Sequence, residues 1–206
     1  MKLYKYPFMP MDCNCYILAD DDKNCVIIDL GGDFSQIEGI IKANELKVLG
    51  VLFTHGHFDH VLGASSALER GIPLYVSFKD GKMLESSEGC LASYVGLNYT
   101  PVKEYNVVKE GTFSIGNFTV KALETPGHTA GSLTYIIGDN MFTGDVLFKD
   151  GIGRTDLPTG DLEELKTSIN RLIGQDFNYN VHPGHGESTT IEDEKLTNSY
   201  VRIFCK

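Results

Sequence analysis

Four side chains able to bind a metal fall within six residues in the run His55-Gly56-His57-Phe58-Asp59-His60. A divalent first-row cation takes neutral imidazole nitrogen or carboxylate oxygen at about 2.0–2.2 Å. A turn that carries several such groups can supply them with little backbone rearrangement. Three more residues match in kind. His128 lies in Thr125-Pro126-Gly127-His128, Asp145 in Phe142-Thr143-Gly144-Asp145, and His185 in His182-Pro183-Gly184-His185. Each follows a glycine, whose backbone freedom helps to aim a ligand. The chain has 6 histidines, and all but His182 belong to this pattern, which scattered structural histidines would not produce. His182 is expected to support the site from behind or to lie at the surface.

These residues need elements that bring them to one place. Val48 to Phe53 is an apolar run that reads as a buried strand and delivers the chain directly into His55. Cys15–Ala19 and Cys25–Asp29 flank the turn-rich Asp20 to Asn24 and read as a hairpin. Asp29, ending the second of these strands near the same edge, is placed to hydrogen-bond a ligand imidazole and fix its tautomer. Phe34, Ile37, Ile40 and Ile41 recur at helical spacing and predict a helix over 34–44. Short helices are also expected over 63–70 and 192–200. Leu162, Leu165, Ile169 and Leu172 predict an amphipathic helix over 161–173, with Asp161 at its start as a cap. Strand patterns return at 113–115, 118–122, 132–137 and 141–143. Residues 77–104 show no clear period and are expected to hold one or two helices over the site. Strands followed by helices in each half fit two stacked sheets with helices outside, in a single domain over 1–206.

Composition narrows the setting. The formal net charge is −10, which disfavours nucleic acid, because phosphate binding needs clustered Lys and Arg. No apolar run is long enough for a membrane span, and the first residues lack the pattern of an export signal. Five cysteines, an odd number, fit reduced thiols and a cytoplasmic location. Cys13 and Cys15 share one strand face and read as small buried hydrophobes. The oligomeric state is left open.

Together, His55, His57, Asp59, His60, His128, Asp145 and His185 resemble the ligand set of the metallo-β-lactamase superfamily, in that family's order and across nearly the whole chain. The resemblance implies an α/β four-layer αββα sandwich. It further implies one cation on His55, His57 and His128, a second on Asp59, His60 and His185, and Asp145 bridging the two. The cations are expected to be zinc, with iron or manganese also compatible. Asn14-Cys15-Tyr16, His128-Thr129-Ala130-Gly131-Ser132 and Gly151-Ile152-Gly153-Arg154-Thr155-Asp156 resemble the compact glyoxalase II-like branch. That likeness implies a binuclear hydrolase of small acyl-thiols such as S-D-lactoylglutathione, with a metal-bridging hydroxide as nucleophile. Asp59 would orient that nucleophile, and Arg154 would contact the substrate unless an ion pair with Asp156 holds it.

Two departures are visible. Glu187 stands where longer glyoxalase II enzymes commonly place an aromatic residue near the substrate. Zinc β-lactamases of the common type carry cysteine where Asp145 stands. The same resemblance admits an alternative reaction. Persulfide dioxygenases are similar at Arg154-Thr155-Asp156 and bind one iron through positions matching His55, His128 and Asp145.

Overall fold

A computed structural model describes residues 1–9 and 11–205. Two six-stranded sheets lie at its centre. The first contains β1 (Lys2–Phe8), β2 (Cys13–Ala19), β3 (Asn24–Ile28), β4 (Lys47–Leu52), β5 (Leu74–Ser77) and β6 (Asn106–Val108), in that spatial order. β1, β2 and β3 run antiparallel, and β3 to β6 run parallel. The parallel crossovers carry helices, as such connections usually do: α1 (Glu38–Ala43), then α2 (Phe58–Val61) and α3 (Ala64–Leu68), then α4 (Phe78–Gly81).

The second sheet is built from β7 (Gly111–Ile115), β8 (Phe118–Glu124), β9 (Leu133–Ile137) and β10 (Asn140–Gly144). A small hairpin of β11 (Leu147–Phe148) and β12 (Gly151–Ile152) follows. Helix α5 (Leu162–Ile173) then returns the chain to β13 (Asn180–Pro183), parallel to β10, with β14 (Thr189–Thr190) at the edge. Helices α6 (Ile191–Thr197) and α7 (Ser199–Phe204) end the described chain.

Among the described residues the buried side chains form three apolar clusters, and these define four layers. Ile27, Val51 and Phe53 pack with Phe34, Ile37, Val61 and Ala64 between the first sheet and its helices. Leu18, Val26 and Leu52 meet Val120, Tyr135 and Phe142 between the sheets. Ile136, Met141 and Val181 receive Leu165, Ile169 and Leu172 from α5. This is the αββα sandwich expected from the sequence. β2 is buried on both faces along its length, so it carries apolar residues without alternation. Among the described residues no helix is long and apolar enough to cross a membrane.

The departures from the sequence reading have local causes. The run over 34–44 divides into a 3-10 turn (Phe34–Gln36) and α1, because Ile37, at φ −101° and ψ −7°, does not continue the first turn. The expected helix over 192–200 is two helices. Asn198 ends α6 and caps α7 by accepting from the backbone N–H groups of Tyr200 and Val201, a contact worth about 1 kcal/mol. Asp161 caps α5 as expected, but Leu162 is exposed, and the buried stripe is Leu165, Ser168, Ile169, Leu172 and Ile173. Residues 77–104 hold α4 and two 3-10 turns, Met83–Glu85 and Ala92–Val95.

Candidate metal centre

Every candidate ligand follows the carboxyl end of a strand, and these ends meet at one edge of the sandwich. His55 and His57 follow β4, and Asp59 and His60 ride on the single turn of α2. His128 follows β8, Asp145 follows β10, and His185 follows β13. Two backbone hydrogen bonds tie the sheets together there: Asn14 N to Gly184 O at 2.7 Å and Leu133 N to Thr54 O at 2.8 Å. A side chain at Gly184 would collide with the Asp145 carboxylate and the His60 ring. Glycine at that position lets β13 close on the cage.

The structure brings all seven residues together. Ligand atoms of His55, His57 and His128 lie within 4.8 Å of one another, as do those of His55, His60 and Asp145. His57 Nδ1 is 2.9 Å from His128 Nε2. On the other side, His185 Nε2 is 3.2 Å from Asp59 Oδ2 and His60 Nε2 is 3.9 Å from the same oxygen. Asp145 sits between the two groups. Its Oδ1 is 3.4 Å from His60 Nε2, and its Oδ2 is 3.6 Å from His128 Nε2 and 3.5 Å from His185 Nε2.

Hydrogen bonds behind the cage determine which ring nitrogens carry a lone pair. Asp29 is the hub. Its Oδ1 accepts from Thr54 N at 2.8 Å. Its Oδ2 accepts from Thr54 Oγ1 at 2.8 Å and lies 2.9 Å from His60 Nδ1, which must donate to it. The Thr54 hydroxyl has spent its proton on Asp29, so at 3.1 Å it accepts from His55 Nδ1. His128 Nδ1 faces the Arg154 carbonyl at 2.8 Å and can only donate to it. In the neutral ring, His55, His60 and His128 therefore each carry their proton on Nδ1 and leave the Nε2 lone pair for the cage. Asp29 thus stands directly behind one imidazole, His60, and reaches a second, His55, through the Thr54 hydroxyl. Its φ of 57° is left-handed, a conformation Asp tolerates better than most residues.

These groups fit a metal. His55 Nε2, His57 Nε2, His60 Nε2 and Asp145 Oδ1 are buried with no hydrogen-bond partner among the described residues. Orphaned polar atoms clustered in one place are costly, and a cation offsets that cost at the nitrogens and oxygen facing it. Burial pushes protonation of His57 down to about 3, and that of His55 well below its ordinary range. Both rings are thus neutral near neutral pH, the form in which imidazole can bind a metal. Burial disfavours the Asp145 carboxylate, but His60, His128 and His185 outweigh it and hold that carboxyl below its usual range.

Sequence reasoning missed Asp80. Its buried Oδ2 accepts from Thr129 Oγ1 at 2.6 Å and from Gly56 N at 2.9 Å. It thereby joins the loop carrying His55 and His57 to the loop carrying His128. Burial raises its carboxyl pKa against these hydrogen bonds. Asp80 begins no motif and lies in the stretch without period, so its sequence carried no signal.

His182 lies outside the cage and is buried, not exposed. Its Nδ1 is 2.9 Å from Ser188 Oγ and its Nε2 2.9 Å from Asn140 Oδ1, and its ring packs on Tyr16 and Phe142. Burial, with a smaller push from Lys5, lowers its pKa from 6.5 to about 4. The unfolded chain then takes the proton first, so this contribution to stability is complete above pH 6.5 and is lost as pH falls towards 4. His182 is expected to stay neutral at pH 6 by NMR titration, and His182→Gln should shift acid unfolding of the metal-free protein to lower pH. Protonation of His182 near pH 6.5 would contradict both.

A cavity of about 480 Å³ opens onto the cage, reaching His57, Asp59, His128, Asp145 and His185. Met11, Leu91, Tyr94, Val95, Leu157 and Pro158 give it an apolar wall. Leu91, Tyr94 and Val95 come from the stretch whose sequence showed no period. Arg154 lines the cavity, with its guanidinium in two hydrogen bonds to Asp156, at 2.7 and 2.6 Å. Both side chains are exposed, so this pair holds little energy against a competing anion. Glu187 does not line the cavity; it is exposed and pairs with Lys149.

Comparison with known proteins identifies the family. Residues 9–185 match the family model of the metallo-beta-lactamase superfamily, and the chain belongs to that superfamily. Metal-dependent hydrolysis is the broad activity that goes with it. The chain is 36% identical to the hydroxyacylglutathione hydrolase GloC of Haemophilus influenzae, over 98% of both proteins. Among solved structures it is similar to the BLEG-1 B3 metallo-beta-lactamase, with a TM-score of 0.91 and 35% identity over 97% of this chain and 99% of that one. It is also similar to TTHA1623 in a di-iron-bound form, with a TM-score of 0.86 and 31% identity over 96% of this chain and 99% of that one.

Proposed function

We propose that this protein is a two-cation hydrolase of small thioesters, of the kind represented by S-D-lactoylglutathione. The observation that carries the reading is Asp145, a half-buried carboxylate with its Oδ1 buried, set between His60 on one side and His128 on the other. His55, His57 and His128 would hold one cation, Asp59, His60 and His185 the other, and Asp145 would reach both. When bound, such a pair lowers the pKa of a water towards neutrality and polarises a carbonyl.

The residues of the chain then divide the remaining work. Asp59 faces the cavity and accepts a hydrogen bond from the attacking water, orienting it towards the carbonyl carbon. Asp29, directly at His60 and through Thr54 at His55, holds the proton of each neutral ring on Nδ1 and leaves Nε2 free to bind. The apolar wall from Met11 to Pro158 shelters the acyl group and sulfur from solvent. A thiolate leaves readily, so no protein acid is needed at that step.

The likeness to GloC supports the thioester class, and an aspartate at 145 fits it better than lactam hydrolysis. Arg154 is the cationic group lining the cavity among the described residues, and it would release Asp156 to take a substrate carboxylate. Arg154→Ala is expected to raise KM for an acidic thioester several-fold more than for a neutral one. Equal effects on both substrates would leave Arg154 as a loop-shaping residue.

Metal analysis of the purified protein, combined with thioester, β-lactam and persulfide panels, tests the function. Two zincs with thioester turnover are expected. One iron with oxygen consumption on a persulfide would replace the hydrolytic reading, and β-lactam turnover alone would replace the substrate class.

A further inference from the structure

Cys13 and Cys15 lie two residues apart on β2, yet their surroundings differ. Cys15 packs into the apolar cluster with Ile17, Ile27 and Phe53. Cys13 is fully buried but lies outside the three apolar clusters found among the described residues. It sits at the strand end that meets the cage. Its backbone forms a bridge with His185, and the next residue, Asn14, donates from its N–H to Gly184 O. The chain is thus pinned on both sides of the thiol.

Three ligand atoms converge there: Cys13 Sγ and one ring nitrogen each of His60 and His185, all within 4.8 Å of one another. Among the described residues the sulfur makes a long hydrogen bond, 4.0 Å, to the Asn14 carbonyl. His60 gives an independent sign of a ligand. Its Nδ1 is committed to Asp29, and its buried Nε2 has no hydrogen-bond partner among the described residues. A small buried hydrophobe would not need two imidazoles at its sulfur.

We propose that Cys13 is a further metal ligand, adding a soft sulfur donor to the cation held by His60 and His185. The inference rests on the reading of the cage as a metal centre and goes beyond its ligand set. Binding exchanges the S–H bond for an S–metal bond and releases the thiol proton to solvent. The consequence is selectivity. Imidazole and carboxylate alone admit manganese, whereas a thiolate favours zinc, cobalt or another thiophilic cation. The two halves of the cage would then differ in metal preference, the His55–His57–His128 side remaining without sulfur.

Cobalt gives a readout that does not depend on activity. Titration of the full-length metal-free protein with cobalt(II) should produce a near-ultraviolet sulfur-to-cobalt charge-transfer band. Cys13→Ala and Cys13→Ser should lose the band while still binding cobalt, and zinc should lose part of its advantage over manganese in competition dialysis. Cys15→Ala and Cys205→Ser should keep the band. Cobalt binding without the band in the wild type, or a band that survives Cys13→Ala, overturns the ligand role of Cys13 and leaves the cage intact. Absence of any cobalt or zinc binding overturns both the ligand role and the metal centre beneath it.

Discussion

Asp145→Ala is expected to cost the protein metal and activity together: at most one cation per chain, and turnover reduced by about three orders of magnitude or more, equivalent to several kcal/mol. Asp145 is the carboxylate within 3.6 Å of His60, His128 and His185 at once. Removing it would take a shared ligand from both halves of the cage. It also removes the anion that would separate two divalent charges held close together. Asp145→Asn keeps the shape and tests the charge alone, and it should fall between wild type and alanine. Metal content by plasma emission and turnover on a thioester provide the check, with circular dichroism showing that the sheets persist. Two cations per chain with near-normal turnover in Asp145→Ala would refute the bridging role.

Asp29→Asn should weaken metal binding by about 10–100-fold although Asp29 touches no cation. Asp29 accepts three hydrogen bonds, from Thr54 N, Thr54 Oγ1 and His60 Nδ1. An amide has one acceptor oxygen and an NH2 group. If the NH2 faces Thr54 N, two donors oppose each other. If it faces the Thr54 hydroxyl and His60, the imidazole must move its proton to Nε2, the nitrogen needed in the cage. The Thr54 hydroxyl also turns, and His55 loses its acceptor. The second arrangement disturbs both halves of the cage, and in either one the mismatch inside a buried network costs about 1–3 kcal/mol of stability. Competition dialysis with a zinc chelator measures the first effect and urea unfolding of the metal-free protein the second. Unchanged metal affinity would show that the tautomers do not depend on Asp29.

The sequence exposed the site more readily than the fold around it. His55, His57, Asp59 and His60 follow an apolar strand within one short run, and His128, Asp145 and His185 each follow a strand and a glycine. That pattern is local, so it can be read without knowing contacts. Asp29 was legible for the same reason, as a carboxylate at a strand end. Thr54 and Asp80 were not. The Asp80 contacts to Gly56 and Thr129 span 24 and 49 residues, and no local periodicity marks a residue whose partners are that far away. Leu162 fits the apolar stripe by spacing, but it is the first residue of α5 and is exposed. The break at Asn198 could have been read, since Asn followed by Ser is a helix-start signal.

The link between Asn14 and the β13 end joins residues 169 positions apart, and His57 meets His128 across 71. Such closures come late in folding, because a chain must spend loop entropy before they form. A cation that needs both sheets in place cannot speed the search that assembles them. It acts afterwards, by slowing the reverse step. A loaded metal centre would therefore also act as a kinetic lock, slowing the opening of the seam where its two halves meet.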